Sequence, residues 1–196
     1  MKKYTLIPVV LIFVTFQTLL AQEQVDFDIT VAGFSIGEMK ATKTSKGEET
    51  FYELTSEVGF WFFGKVNVDY SINSHFKGDQ LMEAQAKTKS NKGDFASDIQ
   101  WDDEQYIVKA TSYKYEKDTI INHPIHFSSA MLYFQEPKDH KLFMAENFGL
   151  PSVITKHKDY YEVSVNGNRN KFYYVDGKLE KAVMENPIKN YVIKRK

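Results

Sequence analysis

Residues 66–76, VNVDYSINSHF, alternate between apolar and polar side chains over most of their length. The apolar members share one face and are Val66, Val68, Tyr70, Ile72 and Phe76, whereas positions 67, 69, 71 and 73 are polar. Successive side chains of a β-strand point to opposite faces of the sheet. The stretch therefore predicts a strand that buries one face and exposes the other.

The same two-residue period recurs along the chain, for example in residues 25–31 (VDFDITV), 95–101 (FASDIQW) and 161–165 (YEVSV). Turn signals separate these runs. Asn166-Gly167 and Asp176-Gly177 are the strongest, because both dipeptides tolerate the positive φ angles of tight hairpin turns. The spacing predicts a meander of roughly ten to twelve antiparallel strands. Long amphipathic helices between strands are missing from the pattern, which argues against a parallel sheet.

Helical signals are confined to residues 128–134, SSAMLYF, which precede Pro137 and allow either one short helix or a buried strand. A sheet of so many strands has to curl, because the twist accumulates from strand to strand. A sandwich, a closed barrel and a half-open barrel are the outcomes. We predict an all-β fold in which a curved antiparallel meander forms a half-open or closed barrel.

The first residues have the pattern of a secretory signal peptide. Lys2 and Lys3 precede an apolar stretch, and the small Ala21 precedes Gln22. Pro8 interrupts a run that is shorter than the roughly 20 residues of a spanning helix. We therefore expect residues 1–21 to be removed and residues 22–196 to form a single β domain with no integral membrane segment. The expected location is the periplasm, with full secretion as the alternative.

Composition excludes several classes of function. The chain has no cysteine, which excludes a lipid-anchoring cysteine, a disulfide framework and a thiolate metal site. Removing Lys2 and Lys3 from a chain of formal net charge −1 leaves −3. The charges are well mixed and form no basic stripe that could neutralise a phosphate backbone, so we expect no nucleic-acid partner.

Four consecutive aromatic residues, Phe60, Trp61, Phe62 and Phe63, are the most unusual local feature of the chain. Neighbours on a strand alternate between faces, so all four cannot face one core. A functional interpretation is that they form the lip of a ligand cavity, or a patch that docks on lipid or a protein. The structural alternative is a strand buried on both faces. We take these four residues as candidates for the mouth of a ligand site.

Candidate catalytic and metal sites are weak. His123 and His126 flank Pro124, which favours extended backbone, and they lack the third ligand that a zinc site needs. We expect Ile125 and Phe127 to anchor this loop inward. Ser128 and Ser129 lack the surroundings of a nucleophile elbow, and residues 102–104 (DDE) are typical of a solvated turn. We therefore expect no catalytic residues, no metal and no cofactor.

Several segments resemble a family of small exported proteins from Bacteroidota-type gram-negative bacteria that is catalogued only as a domain of unknown function. They are residues 27–39 (FDITVAGFSIGEM), 60–66 (FWFFGKV), 91–95 (NKGDF) and 186–191 (NPIKNY). A more distant similarity links the chain to a broader group of periplasmic proteins of unknown function. That resemblance implies a curved antiparallel sheet wrapped toward a half-barrel, and neither resemblance implies an activity.

These observations together favour a non-enzymatic periplasmic protein. The first hypothesis is a binding or carrier protein for an apolar or amphipathic small molecule, including a lipid, with residues 60–63 near the mouth of the site. The high aromatic content, fifteen Phe and twelve Tyr, suits a lined interior. The alternative is a structural or interaction module of the cell envelope that binds another protein through an edge strand or an aromatic patch.

Overall fold

The structure of the chain is a computed structural model. It describes residues 20–61, 65–91, 93–112, 115–186 and 189–196, without the side chains of residues 60, 61, 112, 115 and 117. These ranges contain two 3-10 turns, Met131–Tyr133 and Glu146–Phe148, and fourteen strands. The strands are β1 (Leu20–Val31), β2 (Phe34–Lys46), β3 (Glu49–Trp61), β4 (Lys65–Lys77), β5 (Gln80–Ser90), β6 (Phe95–Trp101), β7 (Tyr106–Ser112), β8 (Tyr115–Ile121), β9 (Leu142–Ala145), β10 (Leu150–Lys156), β11 (Tyr161–Val165), β12 (Asn168–Val175), β13 (Lys178–Met184) and β14 (Tyr191–Arg195).

All fourteen strands belong to one sheet in which neighbours run antiparallel. From β1 the sheet continues in chain order through β2 to β8 on one side, and in reverse order from β14 to β9 on the other. The first strand thus pairs with the last, and Phe27 lies opposite Arg195. Strands β8 and β9 are the two edges and do not pair with each other. The sheet is curled but open, which confirms the all-β prediction in its half-open form.

The strand count exceeds the ten to twelve expected. The additional strands are short and lack a clear alternation: β9 reads LFMA, with three of its four residues buried. A continuous apolar run of this kind marks a buried strand but does not distinguish it from a buried turn.

Residues 122–141, here called the crossing segment, lead from one edge of the sheet to the other through the inside of the curl. The amide of Leu81 donates to the Ile125 carbonyl at 2.9 Å, and the amide of Met144 donates to the Phe127 carbonyl at 2.8 Å. Further along, the amide of Glu136 donates to the Gly177 carbonyl at 3.2 Å. The region that allowed a helix or a strand is one 3-10 turn flanked by turn residues, since Ala130 and Phe134 both have right-handed helical backbone angles.

The crossing segment forms the middle of the hydrophobic core. The ring of Tyr133 meets Phe27 of β1 edge-on with centroids 5.6 Å apart, and Phe172 of β12 at 6.1 Å. Ile125 and Phe127 are buried, as the sequence predicted. Each fully buried side chain of this size stabilises the fold by roughly 1.5–3 kcal/mol. The two halves of the sheet pair with each other only through β1 and β14, and the crossing segment connects them further through packing.

Candidate functional site

The inward face of strands β3, β4 and β5 changes from buried to half-buried along its length. We call lower the end at the β2–β3 and β4–β5 turns, and upper the end at the β1–β2 and β3–β4 turns. The lower inward positions are at most 4% exposed and are Tyr52, Leu54, Ile72, Phe76, Leu81, Ala84 and Ala86. The upper inward positions are all half-buried and are Ser56, Val58, Val66, Val68, Tyr70 and Thr88. We call these six residues the upper inner surface.

Register makes the upper inner surface continuous across the three strands. Val58 lies directly opposite Val68, and Tyr70 lies between Ser56 on β3 and Thr88 on β5. Directly opposed side chains have Cβ atoms roughly 4.5–5.5 Å apart and contact one another. Six further half-buried hydrophobic residues pack against the core, namely Ile36, Trp101, Phe148, Tyr174, Met184 and Tyr191. The surface is thus apolar over most of its extent, with no charged side chain among its six residues.

The outward face of the same strands is charged. Glu57, Asp69 and Lys89 are exposed and lie in one row across β3, β4 and β5. This contrast shows that the upper strands are amphipathic, with their apolar side toward the inside of the curl. The upper inner surface is thus an apolar face that the rest of the described chain covers only in part. Such a face is typical of a ligand or interaction site.

The lower half is covered because Glu146 fixes the crossing segment to the sheet. The Glu146 side chain is fully buried and accepts hydrogen bonds from the Ser74 hydroxyl at 2.9 Å and the Ser129 amide at 2.8 Å. It also accepts from the Ser129 hydroxyl, and from the Ala130 amide at 3.2 Å. The Ser97 hydroxyl donates to the Glu146 carbonyl at 2.5 Å. These bonds link β4, β6, the crossing segment and the second 3-10 turn.

Three tyrosines surround the boundary between the covered and the open half. Burial raises the pKa of Tyr70 well above its usual value, and the nearby Tyr133 and Glu146 raise it further. Burial also raises the pKa of Tyr133, with further contributions from Tyr191 and Glu146, and burial raises that of Tyr191. All three phenols therefore remain protonated hydrogen-bond donors at neutral pH.

One polar atom near these tyrosines lacks a partner. The Asn147 side chain partly offsets the rise in the pKa of Tyr70, and its Oδ1 is buried without a hydrogen bond in the described ranges. The nearby Tyr174 hydroxyl is paired, since it donates to the Leu132 carbonyl at 2.7 Å. An unpaired buried polar atom costs about 1–3 kcal/mol, so the position of Asn147 Oδ1 favours an additional hydrogen-bond donor.

Two open grooves lie on the outer face of the sheet. One has a volume of about 670 Å³ and is lined mainly by charged and hydroxyl side chains, among them Lys40, Glu57 and Asp69. The other has a volume of about 420 Å³ and contains Ile107 and Ile120, which lie opposite each other on β7 and β8. Neither groove is an enclosed apolar cavity.

The predicted mouth residues fall at the limit of the described chain. Phe60 and Trp61 end β3, where their backbones pair with Val66 and Lys65. Their side chains, and residues 62–64 altogether, lie outside what the structure describes. The register nevertheless places the end of β3 beside Val66 of the upper inner surface.

Two of the histidines lie apart from this site, whereas Ser129 belongs to the hydrogen-bond network of Glu146. His126 Nδ1 lies 3.3 Å from a carboxylate oxygen of Asp79, and both side chains are largely exposed. His75 is stacked on Phe51 with centroids 4.5 Å apart, and its Nε2 is paired with Glu49. In the described ranges no three His, Asp or Glu side chains are placed to hold a metal ion.

Sequence reasoning missed the role of Glu146 and of Tyr133. Glu146 is the only charged residue in the otherwise apolar and neutral stretch 142–150, LFMAENFGL. A lone carboxylate in such a run indicates a buried and fully hydrogen-bonded group, since Glu is almost never fully buried unless paired. No feature of the sequence distinguishes Tyr133, because it is one of twelve tyrosines in the chain.

Comparisons with known proteins identify a family and a fold. The model of a family described as "Domain of unknown function (DUF6134)" matches residues 27–196. No curated protein matches. A crystal structure described as a beta-barrel-like protein of domain of unknown function DUF1849 from Brucella abortus is similar, with a TM-score of 0.55 and 12% sequence identity. The match covers 92% of this chain and 98% of that one, and at this identity it supports the fold alone.

The resemblance inferred from the sequence is thus confirmed at the level of a family of unknown function. The bacterial group from which the chain comes stays a prediction. Among the described residues, no helix is long and apolar enough to cross a membrane.

Proposed function

The chain belongs to the DUF6134 family, a domain of unknown function, and we propose that it is a non-enzymatic carrier that binds an apolar or amphipathic small molecule in the periplasm. The binding site is the upper inner surface, and residues 60–63 lie at its mouth. Export through the signal peptide of residues 1–21 is part of the proposal. An apolar molecule dissolves poorly in an aqueous compartment, so a protein that shields it has a clear use there.

One observation carries this proposal. The inward face of β3–β5 keeps its apolar character beyond the point at which the crossing segment and the second 3-10 turn cover it. Val58 and Val68 are opposed on this face and stay half-buried. Ligand sites in proteins are usually concave, largely apolar and furnished with a few polar groups. The inside of a curled sheet with tyrosines at its base has these properties.

The state of Glu146 supports a binding role over a catalytic one. Its carboxylate accepts four hydrogen bonds from neutral donors of the chain itself. A general acid or base must reach the proton of a bound substrate. A carboxyl group whose oxygens are already engaged inside the core instead stabilises the fold that presents the apolar surface.

The first experiment is native mass spectrometry of the protein purified from its own periplasm, followed by denaturation and lipid extraction. A hydrophobic molecule that is released only on denaturation supports the carrier function and identifies the ligand class. The refolded, delipidated protein is then titrated with the neutral fluorophore N-phenyl-1-naphthylamine. Failure of both measurements, with no co-purifying molecule and no fluorophore binding, overturns the proposal.

Paired variants locate the site. Val68→Asp places a charge on the upper inner surface and is expected to weaken fluorophore binding about tenfold or more, because a charge there opposes apolar contact. Asn67→Asp adds the same charge to the neighbouring outward position, where Asn67 is exposed, and should leave binding unchanged. Equal effects of the two substitutions would place the fluorophore elsewhere.

A second candidate function is protein binding at the sheet edges. Each edge hairpin carries an exposed aliphatic pair on its outer face. Ile107 and Ile120 on β7–β8 are 43% and 57% exposed, and Leu142 and Val153 on β9–β10 are 48% and 51% exposed. Such a patch at a sheet edge favours a protein partner. The crossing segment already hydrogen-bonds Met144 of β9, so the β8 edge is the better candidate. In-cell crosslinking to an envelope protein that is lost in an Ile107→Lys, Ile120→Lys double variant, but kept in Val68→Asp, would favour this function.

A further inference from the structure

The rest of the chain covers one edge of the sheet and leaves the other open. At the β9 edge the amides of Met144 and Ser129 donate to the carbonyls of Phe127 and Met144 at 2.8 and 2.9 Å. Ser128 also forms a parallel bridge with Met144. Within the described ranges β8 pairs only with β7, and no backbone hydrogen bond of the crossing segment reaches it. The backbone groups on the free side of β8 are therefore available to another strand.

A groove on the outer face lies beside the open edge. It has a volume of about 420 Å³ and contains Ile107 and Ile120, which lie opposite each other. These two aliphatic side chains are 43% and 57% exposed. A side chain on a strand paired with β8 would stand next to Ile120 and within reach of the pair. The groove thus offers a place for one apolar residue of an added strand.

The outward side chains of β8 add negative charge to this edge. Alternation places Ile120, Asp118 and Glu116 on the outer face, and all three are exposed. On the β7 side Asp118 lies opposite Lys109, and Glu116 lies opposite Thr111. No strand lies on their other side. An added strand with lysine or arginine at these two positions would gain two cross-strand pairs of opposite charge.

A second copy of this chain is a poor occupant of the edge. Antiparallel self-pairing that keeps the outer faces together has one residue at its centre. Centring on Glu116 or Asp118 would oppose a carboxylate to itself, and centring on Lys117 would oppose Glu116 to Asp118 twice. Centring on Thr119 would place Asp118 against Ile120, which pairs no charges. Directly opposed like charges are destabilising, so the edge favours a basic strand over its own copy.

We propose that β8 binds an extended segment of a partner protein as an additional strand, with an apolar residue beside Ile107 and Ile120 and basic residues opposite Asp118 and Glu116. Main-chain hydrogen bonds hold the segment, while the groove and the two carboxylates select its sequence. This inference rests on the second candidate function and specifies its partner. It is independent of the carrier function, which uses the upper inner surface.

A short peptide in the antiparallel register tests the proposal. The fluorescein-labelled probe Thr-Val-Thr-Lys-Thr-Lys-Thr places valine opposite Ile120 and the lysines opposite Asp118 and Glu116, and the control peptide has glutamate at both lysine positions. Fluorescence anisotropy with the full chain at low ionic strength is expected to show about tenfold tighter binding of the lysine peptide. Equal binding of the two peptides, or tighter binding of the glutamate peptide, would overturn the proposal.

Backbone N-methylation distinguishes strand addition from ionic contact alone. In a strand paired on one side, only every second residue turns its N–H toward the neighbouring strand. One version of the lysine peptide is methylated at the backbone nitrogens of valine and the lysines, and the other at those of the threonines. One version should lose about tenfold or more in affinity, whereas the other should bind like the parent peptide. Equal affinities of the two versions would show that the peptide backbone is not paired with β8.

Charge variants locate the peptide on β8. Asp118→Asn removes one of the two carboxylates and should weaken binding of the lysine peptide about threefold or more. Asp69→Asn makes the same change at an exposed position of the interior strand β4 and should leave binding unchanged. Equal effects of the two substitutions would place the peptide elsewhere and overturn the assignment to β8.

The crosslinking experiment separates this inference from the function on which it rests. If an envelope protein crosslinks in a manner that depends on Ile107 and Ile120 but the peptide tests fail, strand addition is wrong and protein binding stands. If no envelope protein crosslinks and no peptide binds, the second candidate function itself fails.

Discussion

The hydroxyl of Ser74 donates to Oε1 of Glu146 at 2.9 Å, across 72 residues of chain. Ser74 lies in the lower half of β4, and Glu146 begins the 3-10 turn that follows the edge strand β9. The bond therefore holds the β9 edge of the sheet against the interior of the opposite half. An open sheet needs such a connection, because its two edges share no strand pairing.

Glu146→Ala should be strongly destabilising. The substitution leaves the Ser74 hydroxyl and the Ala130 amide without acceptors, whereas the Ser129 amide keeps the Met144 carbonyl at 2.9 Å. Each unsatisfied buried donor costs about 1–3 kcal/mol. We expect the free energy of unfolding to fall by about 3 kcal/mol or more in urea titrations. Glu53→Ala, at an exposed position of β3, serves as the control and should change it by less than about 0.5 kcal/mol. A small loss for Glu146→Ala would mean that the network adds little stability.

Gly37→Ala should disturb the pairing of β2 and β3. A Cβ atom at Gly37 would lie 2.1 Å from the Glu57 carbonyl oxygen, so backbone has to move. We expect a loss of about 1–3 kcal/mol in the free energy of unfolding, as in other overpacked sites. Gly59→Ala on β3 is the matched variant, because its nearest neighbour is the Asn67 Oδ1 at 3.6 Å. Similar losses in the two variants would show that the close contact at Gly37 is relieved without cost.

Alkaline pH should unfold the protein through its buried tyrosines. Burial raises the pKa of Tyr52 to about 12, with a further contribution from Glu23, while the unfolded chain ionises near the ordinary value of 10.0. A phenol that stays protonated only in the folded state stabilises that state fully below pH 10, and this contribution is lost between pH 10 and about 12. Urea midpoints should fall over this interval. Tyrosinate absorbance should appear at higher pH in the native protein than in the urea-unfolded chain. If both titrate at the same pH, the buried tyrosines do not have raised pKa values.

Trp61→Ala combined with Phe62→Ala tests the mouth assignment made from the sequence. If these side chains border the upper inner surface, the variant should bind N-phenyl-1-naphthylamine several-fold more weakly, because part of the apolar contact is lost. Its circular dichroism spectrum and urea midpoint should stay close to those of the parent protein. Unchanged fluorophore binding in a folded variant would separate residues 60–63 from the ligand site.

Cleavage before Gln22 should leave the sheet intact. Only Leu20 and Ala21 of β1 would be removed, and they pair with Lys46 and Ser45 at the end of β2. The buried positions of β1 begin at Val25. The intact mass of the protein purified from its own cells is expected to match residues 22–196. A mass that includes residues 1–21 would contradict cleavage of the signal peptide.

The alternation of polarity predicted most of the long strands, because each has one face in water and the other in the core. Residues 66–76 form β4 with the predicted inward face. The short strand β9 was not predicted, since both of its faces are covered and its sequence has no period. The order of the strands in the sheet could not be predicted from the sequence either. The pairing of β1 with β14 depends on contacts across almost the whole chain, which leave no local signal.

The candidate site was predictable only in part. Alternation indicates that Val58 and Val68 face inward, and the aromatic residues 60–63 drew attention to the same end of the sheet. The half-buried state of that face depends on where the crossing segment stops, which local sequence does not encode. The tyrosine cluster likewise arises from β4, β14 and the crossing segment, whose members are distant in the chain.

The pairing of β1 with β14 also has a kinetic consequence. The last strand, Tyr191–Arg195, joins two meanders that could each form from local hairpins as the chain emerges. Loop closure over such a separation is entropically costly and slow. Until the final residues are available, Phe27 and Ile29 have a neighbouring strand on one side only. We therefore expect the C-terminal strand to pair last, and truncation of a few C-terminal residues should leave the two meanders held together by the crossing segment alone.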